Sequence, residues 1–318
     1  YLRQVGLILA VAAALSVGQI LFFLWSLGRS GCRIRLAACD FHLTRDILKY
    51  SIPMAVFTLV NALNRDMDKY LISAVSDTQT LAIYANAAKV LPFDILLIAF
   101  MTVLLPHITR QIAAKRYGDA VETYRAYLEI SYISTALLAC GVLAAAPEAM
   151  RLLYSEKYIS GLPVFRIYIV SDIFHFANIT LILTASGRTK LLMRLGFLGL
   201  AANFVLNILF YRLMGFAGPA LATLLVSLGL GITILHFSAK ELHTSIRGLF
   251  DCKYLLTFAL ECIGGTAVFS AARRWLETTQ MHYLAVMIAV CAGYVLCVGL
   301  PNAKRFLHDL KKISTLKA

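Results

Sequence analysis

The sequence predicts an all-α, polytopic membrane protein with about nine transmembrane helices. Three observations predict it. Hydrophobic residues make up 60% of the chain and only 15% are charged, with a mean hydropathy of +0.76. The apolar residues gather in repeated runs of about 20, the number a helix needs to cross a hydrocarbon core of about 30 Å. Basic residues alternate between successive connectors, as expected of a chain that crosses repeatedly. The runs lack a strict two-residue alternation, which argues against an outer-membrane barrel.

The first span, 4–27, starts close to Tyr1. No signal-peptide pattern precedes it, and the chain opens inside an apolar run, which reads as a fragment of a longer protein. The connector 28–49 carries Arg29, Arg33, Arg35, Arg45 and Lys49. In its second half Phe41, Ile47 and Leu48 alternate with charges, which fits a short interfacial helix or a solvated loop. The second and third spans are 50–74 and 80–105, and the fourth and fifth are 126–147 and 163–185. The sixth, 191–211, places Asn203 and Asn207 four apart, a spacing suited to hydrogen bonds between helices. The seventh, 217–239, follows Gly215 and opens on the small residues Gly218, Pro219, Ala220, Ala222 and Thr223, a surface for close helix approach. The eighth and ninth are 254–271 and 282–300. Pro53, Pro92, Pro106, Pro163 and Pro219 fall at or inside span ends, where proline frees a backbone carbonyl and invites a bend.

Most Lys and Arg sit on one side, in 28–49, 106–125, 186–194, 240–253 and the tail. The opposite side holds Arg151, Lys157, Arg212, Arg273 and Arg274. The first set is therefore expected to be cytoplasmic, with the C-terminus. The formal charge of +13 is then a topology signal and a match to anionic membrane lipids. Nucleic-acid binding is disfavoured, because no basic cluster is interleaved with stacking aromatics. Seven cysteines, Cys32, Cys39, Cys140, Cys252, Cys262, Cys291 and Cys297, are scattered without metal spacing and read as small buried hydrophobes. No nucleophile elbow, phosphate loop or zinc pattern appears, so no catalytic residue, metal or cofactor is expected and the protein reads as a non-enzyme.

The second span holds a contradiction. Arg65, Asp66, Asp68 and Lys69 lie in its outer half. Four ionised groups near a bilayer centre cost about 10–14 kcal/mol together, whereas the Leu, Ile, Val and Phe residues of the span return only about 3–5. These groups must face other helices, a wet cavity or the outer interface. Asn61, Asn64, Arg65, Asp68 and Lys69 on this span, with Asn86 and Lys89 on the next, are the candidate substrate-binding groups. Depths of roughly 15 Å for Arg65 and 14 Å for Lys89 below the outer ends bring the cations level in antiparallel neighbours. Asp66, Asp68 and Asp94 would be counter-charges. A basic hydrated cavity, a set of internal ion pairs and an early exit of the span near Leu63 all fit. On the fifth span Asp172, His175 and Asn178 recur every three residues, on one helical stripe. They fit an ion relay, with Asp66, Asp94, Asp172 and His175 as candidates for coupling to Na+ or H+, or a satisfied Asp–His hydrogen bond.

Several motifs then carry a resemblance: Pro53, Asn61, Asp68-Lys-Tyr-Leu-Ile72, Ile83-Tyr-Ala-Asn-Ala-Ala-Lys89, Leu105-Pro106, Leu153-Tyr154, Lys157-Tyr158 and Gly215 to Thr223. In this order the chain resembles the polysaccharide-transporter, or O-antigen flippase, branch of the multidrug/oligosaccharidyl-lipid/polysaccharide (MOP) exporter superfamily. The resemblance implies two six-helix lobes around a central cavity with alternating access. Residues 1–27 would be the last helix of a truncated first lobe, 28–49 a cytoplasmic inter-lobe linker and 50–239 the second lobe. Residues 240–318 would supply two additional helices and a basic tail. It implies an undecaprenyl-pyrophosphate-linked oligosaccharide as substrate, for surface polysaccharides such as lipopolysaccharide O-antigen, with other polysaccharide-assembly membrane proteins as partners. Arg65, Lys69 and Lys89 would hold the pyrophosphate. A cation-coupled multidrug exporter is the alternative within the superfamily. A membrane-embedded glycan polymerase or ligase is a further one, although the external connector near 147–162 holds few catalytic groups.

Overall fold

A computed structural model of the chain describes residues 2–29, 41–89, 95–279 and 281–314, and among them every regular element is helical. The chain divides into two units, 1–49 and 50–318. Helix α1 (Leu2–Arg29) belongs to the first. Helix α2 (Phe41–Val75) begins in the first and continues into the second without interruption. Residues 41–49 are thus the opening turns of the span, neither a separate interfacial helix nor a loop. At 1.5 Å per residue α2 is about 52 Å long, well beyond the hydrocarbon thickness.

After a turn capped by Asp77, whose carboxylate accepts from the Thr80 N–H at 2.9 Å, α3 runs Thr78–Ala87. The chain continues through α4 (Ile95–Ala113), α5 (Tyr117–Ala144), α6 (Ala146–Tyr154), α7 (Leu162–Phe174), α8 (Leu181–Ala185), α9 (Thr189–Met214) and α10 (Gly218–Glu241). Helix α11 (Cys252–Thr278) follows. Then α12 (Tyr283–Tyr294) joins α13 (Leu300–Ser314) through one π-helical turn. Six stretches of the described residues are long and apolar enough to cross a membrane: Ala10–Arg29, Phe41–Val75, Tyr117–Ala144, Thr189–Glu241, Cys252–Thr278 and Tyr283–Ile313. Thr189–Glu241 contains both α9 and α10.

Two predicted spans are corrected. Neither 80–105 nor 163–185 is one helix. The first stops at Ala87 and α4 resumes at Ile95; Pro92 and Asp94 lie outside the described residues. The second breaks between Phe174 and Leu181. Apolar runs reveal length but not continuity, so hydropathy alone could not show either interruption. Backbone freed at such a depth needs partners within the protein. Residues 175–180 find theirs on α5, where the Tyr127 hydroxyl accepts from the Asn178 N–H at 2.9 Å and the Tyr124 hydroxyl donates to the Ile179 carbonyl at 3.2 Å.

Within 50–318, helix α5 is the central post, two-thirds buried. At its start Tyr124, Tyr127 and Leu128 pack with Leu104 and Ile108 of α4, Leu181 and Ile182 of α8, and Ala239 of α10. Near its other end Ala139 packs with Ile72, Tyr84, Phe165 and Ala220. Between the two, Ile133, Ala136 and Cys140 meet Phe258 and Cys262 of α11 and Tyr294 of α12. Many outward residues are apolar, such as Leu198, Val205, Leu256 and Leu260. That is the inside-out surface a lipid solvent requires. Cys252 and Cys297 lie on this surface, correcting their reading as buried, whereas Cys140 and Cys262 are in the core; Cys32 and Cys39 lie outside the described residues.

The α9–α10 hairpin is tight. Gly215 ends α9 at φ +65°, a conformation glycine adopts without strain. At Gly218 an added Cβ would meet the Phe210 carbonyl oxygen at 2.1 Å, a backbone atom that cannot swing aside. Gly218→Ala is expected to destabilise the protein by about 1–3 kcal/mol or more through overpacking. A lower melting temperature in detergent would register it.

Candidate functional site

Helix α2 sorts its polar groups by face. Asp68 is fully buried, with one carboxylate oxygen accepting from the Tyr84 hydroxyl of α3 at 2.8 Å and from the Tyr168 hydroxyl of α7. Its other oxygen accepts from the Lys69 backbone N–H at 2.9 Å. The carboxylate therefore ties three helices together, a role its sequence position did not disclose. Neither Tyr84, which the sequence shows only as part of the Ile83–Lys89 motif, nor Tyr168 discloses this role: each is an aromatic among aromatics until the fold aims its hydroxyl at Asp68.

The cations separate. The Lys69 ammonium pairs with Asp66 at 2.6 Å, one turn back on the same helix. Arg65 is exposed and pairs with no described residue. Lys89, just past the end of α3, is exposed, its ammonium 5.6 Å from the centre of the Tyr154 ring. Asp68 meets Tyr84 across antiparallel helices, which sets the register. Lys89 lies five residues beyond Tyr84 and Arg65 three before Asp68, so the two differ in depth by about 3 Å. Asn61 is exposed on the same helix, and the Asn86 amide donates to the Ala82 carbonyl of its own helix at 2.9 Å. Asp94 lies outside the described residues.

Below Asp68 runs a polar seam. The Asn203 amide of α9 donates to the Asn64 side-chain and backbone oxygens at 2.9 and 3.1 Å, and the Thr223 hydroxyl of α10 donates to the Asn203 oxygen at 3.4 Å. Asn64 thus joins helices. One turn along α9, Asn207 is buried, and its amide oxygen and nitrogen have no hydrogen-bond partner among the described residues. On α7, Asp172 is buried and His175 caps the helix, its Nδ1 2.9 Å from the Ser171 carbonyl. The Asn178 oxygen accepts from Thr180 within the break. Because α7 ends at Phe174, the expected single stripe of Asp172, His175 and Asn178 does not form. No cluster of three or more His, Cys, Asp or Glu side chains suited to a metal occurs among the described residues.

A model of the family described as "Lipid II flippase MurJ" matches residues 2–295. Two solved structures are similar over 84% of this chain, each with a TM-score of 0.51. One is an outward-facing multidrug-resistance transporter of the MATE family, at 20% identity. The other is a MOP-superfamily transporter from Pyrococcus furiosus whose binding pocket has reversed polarity, at 19% identity. The chain spans 66% of the length of each. At these identities the likeness establishes a shared fold. No curated protein matches the chain.

Proposed function

Because this chain belongs to the lipid II flippase MurJ family, we propose that it moves a lipid-linked saccharide bearing a pyrophosphate across the bacterial plasma membrane by alternating access. Lipid II, which the family description names, is the first candidate. An undecaprenyl-linked O-antigen oligosaccharide, suggested by the sequence motifs, is the second. The superfamily is common to both readings; the matching family model favours the first. The reading assigns no covalent chemistry to the chain. Its C-terminus and basic connectors would face the cytoplasm.

One observation carries the proposal: Arg65 stands exposed within an apolar span and without a partner among the described residues, while its neighbours Lys69 and Asp68 are satisfied. An unpaired guanidinium facing hydrocarbon costs about 2.5–3.5 kcal/mol, so this face is suited to an anionic passenger in a polar groove. A pyrophosphate needs that neutralisation while its prenyl tail stays in lipid. A second lobe of the kind implied by the resemblance would supply the opposite wall. Coupling to Na+ or H+ forms part of the reading.

The test is complementation. In cells depleted of their own lipid II flippase, expression of this protein is expected to restore exposure of lipid II on the outer face, read by cleavage with an impermeant enzyme. Restored drug resistance without lipid II exposure would move the assignment to a multidrug exporter.

A further inference from the structure

A cavity of about 880 Å³ opens where α5, α11 and α13 converge, at the end of the bundle away from Asp77. Its charges are unevenly satisfied. Arg305 is fully engaged: it donates to Glu129 at 3.0 Å and to Asp251 at 2.8 Å, with its guanidinium 3.7 Å from the centre of the Tyr254 ring. Lys312 pairs with Glu122, and Arg125 donates to the Gly248 carbonyl. Two buried carboxylate oxygens remain. Glu129 is 4% exposed and Asp309 6%, and one oxygen of each accepts no hydrogen bond among the described residues. When both are ionised, these neighbouring carboxylates repel one another. At the rim Arg247 and Lys304 are exposed and without partners among the described residues.

This places acceptors inside and cations outside. A ligand that satisfies both must carry an N–H-bearing cation at its tip and an anion behind it. An ammonium set between Glu129 and Asp309 would relieve their repulsion and donate to both unpartnered oxygens, while a phosphate one ethylene away would meet Lys304 and Arg247. A purely anionic headgroup would leave the carboxylates unanswered. A quaternary amine has no N–H to give them. From Cys252, which lines the cavity, the exposed apolar residues Leu256, Leu260 and Ile263 continue along α11 at i+4, i+8 and i+11, one stripe facing lipid. The polar cavity and the stripe together fit an amphiphile.

We propose that the cavity between α5, α11 and α13 seats the headgroup of a phosphatidylethanolamine-type phospholipid, its primary amine on Glu129 and Asp309, its phosphate on Lys304 and Arg247, and its chains along α11. This requires only that the chain be embedded in a membrane, and it holds or fails independently of what is transported.

The purified protein, stripped of lipid and offered equimolar phosphatidylethanolamine, phosphatidylcholine and phosphatidylglycerol in mixed micelles, is expected to retain phosphatidylethanolamine about tenfold or more over the other two in native mass spectrometry. Asp309→Asn removes the amine acceptor's charge without breaking an ion pair, and Lys304→Ala removes an exposed cation. Each should lower that retention about tenfold while leaving the melting temperature unchanged. Equal retention of the three lipids, or wild-type retention by Asp309→Asn and Lys304→Ala, would overturn the proposal. Soluble glycerophosphoethanolamine binding as tightly as the lipid would also overturn it, since α11 would then contribute nothing.

Discussion

Arg65→Ala is expected to reduce transport of the lipid-linked saccharide about 10- to 150-fold while the protein accumulates normally. The range follows from losing one charge-assisted contact to a phosphate, worth about 1.5–3 kcal/mol, at about 1.4 kcal/mol per factor of ten. Accumulation should be normal because the side chain is exposed and pairs with no described residue, so no fold contact is lost. Arg65→Lys keeps the charge but not the planar fork that grips two phosphate oxygens, and should fall between. Lys69→Ala offers a contrast. Its ammonium already answers Asp66, so removal frees a carboxylate instead of depriving the passenger of its main cation. Exposure of lipid II on the outer face, normalised to protein level, measures all three. Wild-type exposure in Arg65→Ala would remove Arg65 from the transport path.

The fold class was legible because a bilayer imposes a one-dimensional constraint: a helix must be apolar for about 20 residues, and the sequence states where. Continuity was not legible. The break at His175–Thr180 depends on partners far away in the chain, Tyr124 and Tyr127 reaching from α5 to residues 179 and 178. At the candidate site, the presence of charges in the second span was visible but not their division of labour. Arg65, Asp66, Asp68 and Lys69 are almost consecutive, so a rotation of about 100° per residue decides which faces inward. Sequence spacing fixes those angles relative to one another. Only packing fixes them relative to the core. The 60° offset between Arg65 and Asp68 separates an exposed cation from a fully buried carboxylate.

Asp68→Ala should show the opposite signature, a loss of the protein itself. The substitution leaves the Tyr84 and Tyr168 hydroxyls buried without their acceptor, each an unmet group worth about 1–3 kcal/mol, and it opens space where three helices meet. A total of about 3–5 kcal/mol is a large share of the 5–15 kcal/mol that holds a typical domain. A much lower melting temperature in detergent and reduced accumulation in the membrane should follow. Asp68→Asn keeps one oxygen as an acceptor and should cost less. Removing all three groups together, with Phe at 84 and 168 and Leu at 68, takes away acceptor and donors at once and should recover part of the loss, because an apolar junction leaves nothing unsatisfied. The triple variant is therefore the decisive one. If it is no more stable than Asp68→Ala, the carboxylate acts through something other than its two tyrosines. If it regains stability but still fails to expose lipid II, the hub does more than fasten α2, α3 and α7: it also holds the register that keeps Arg65 and Lys89 at one depth.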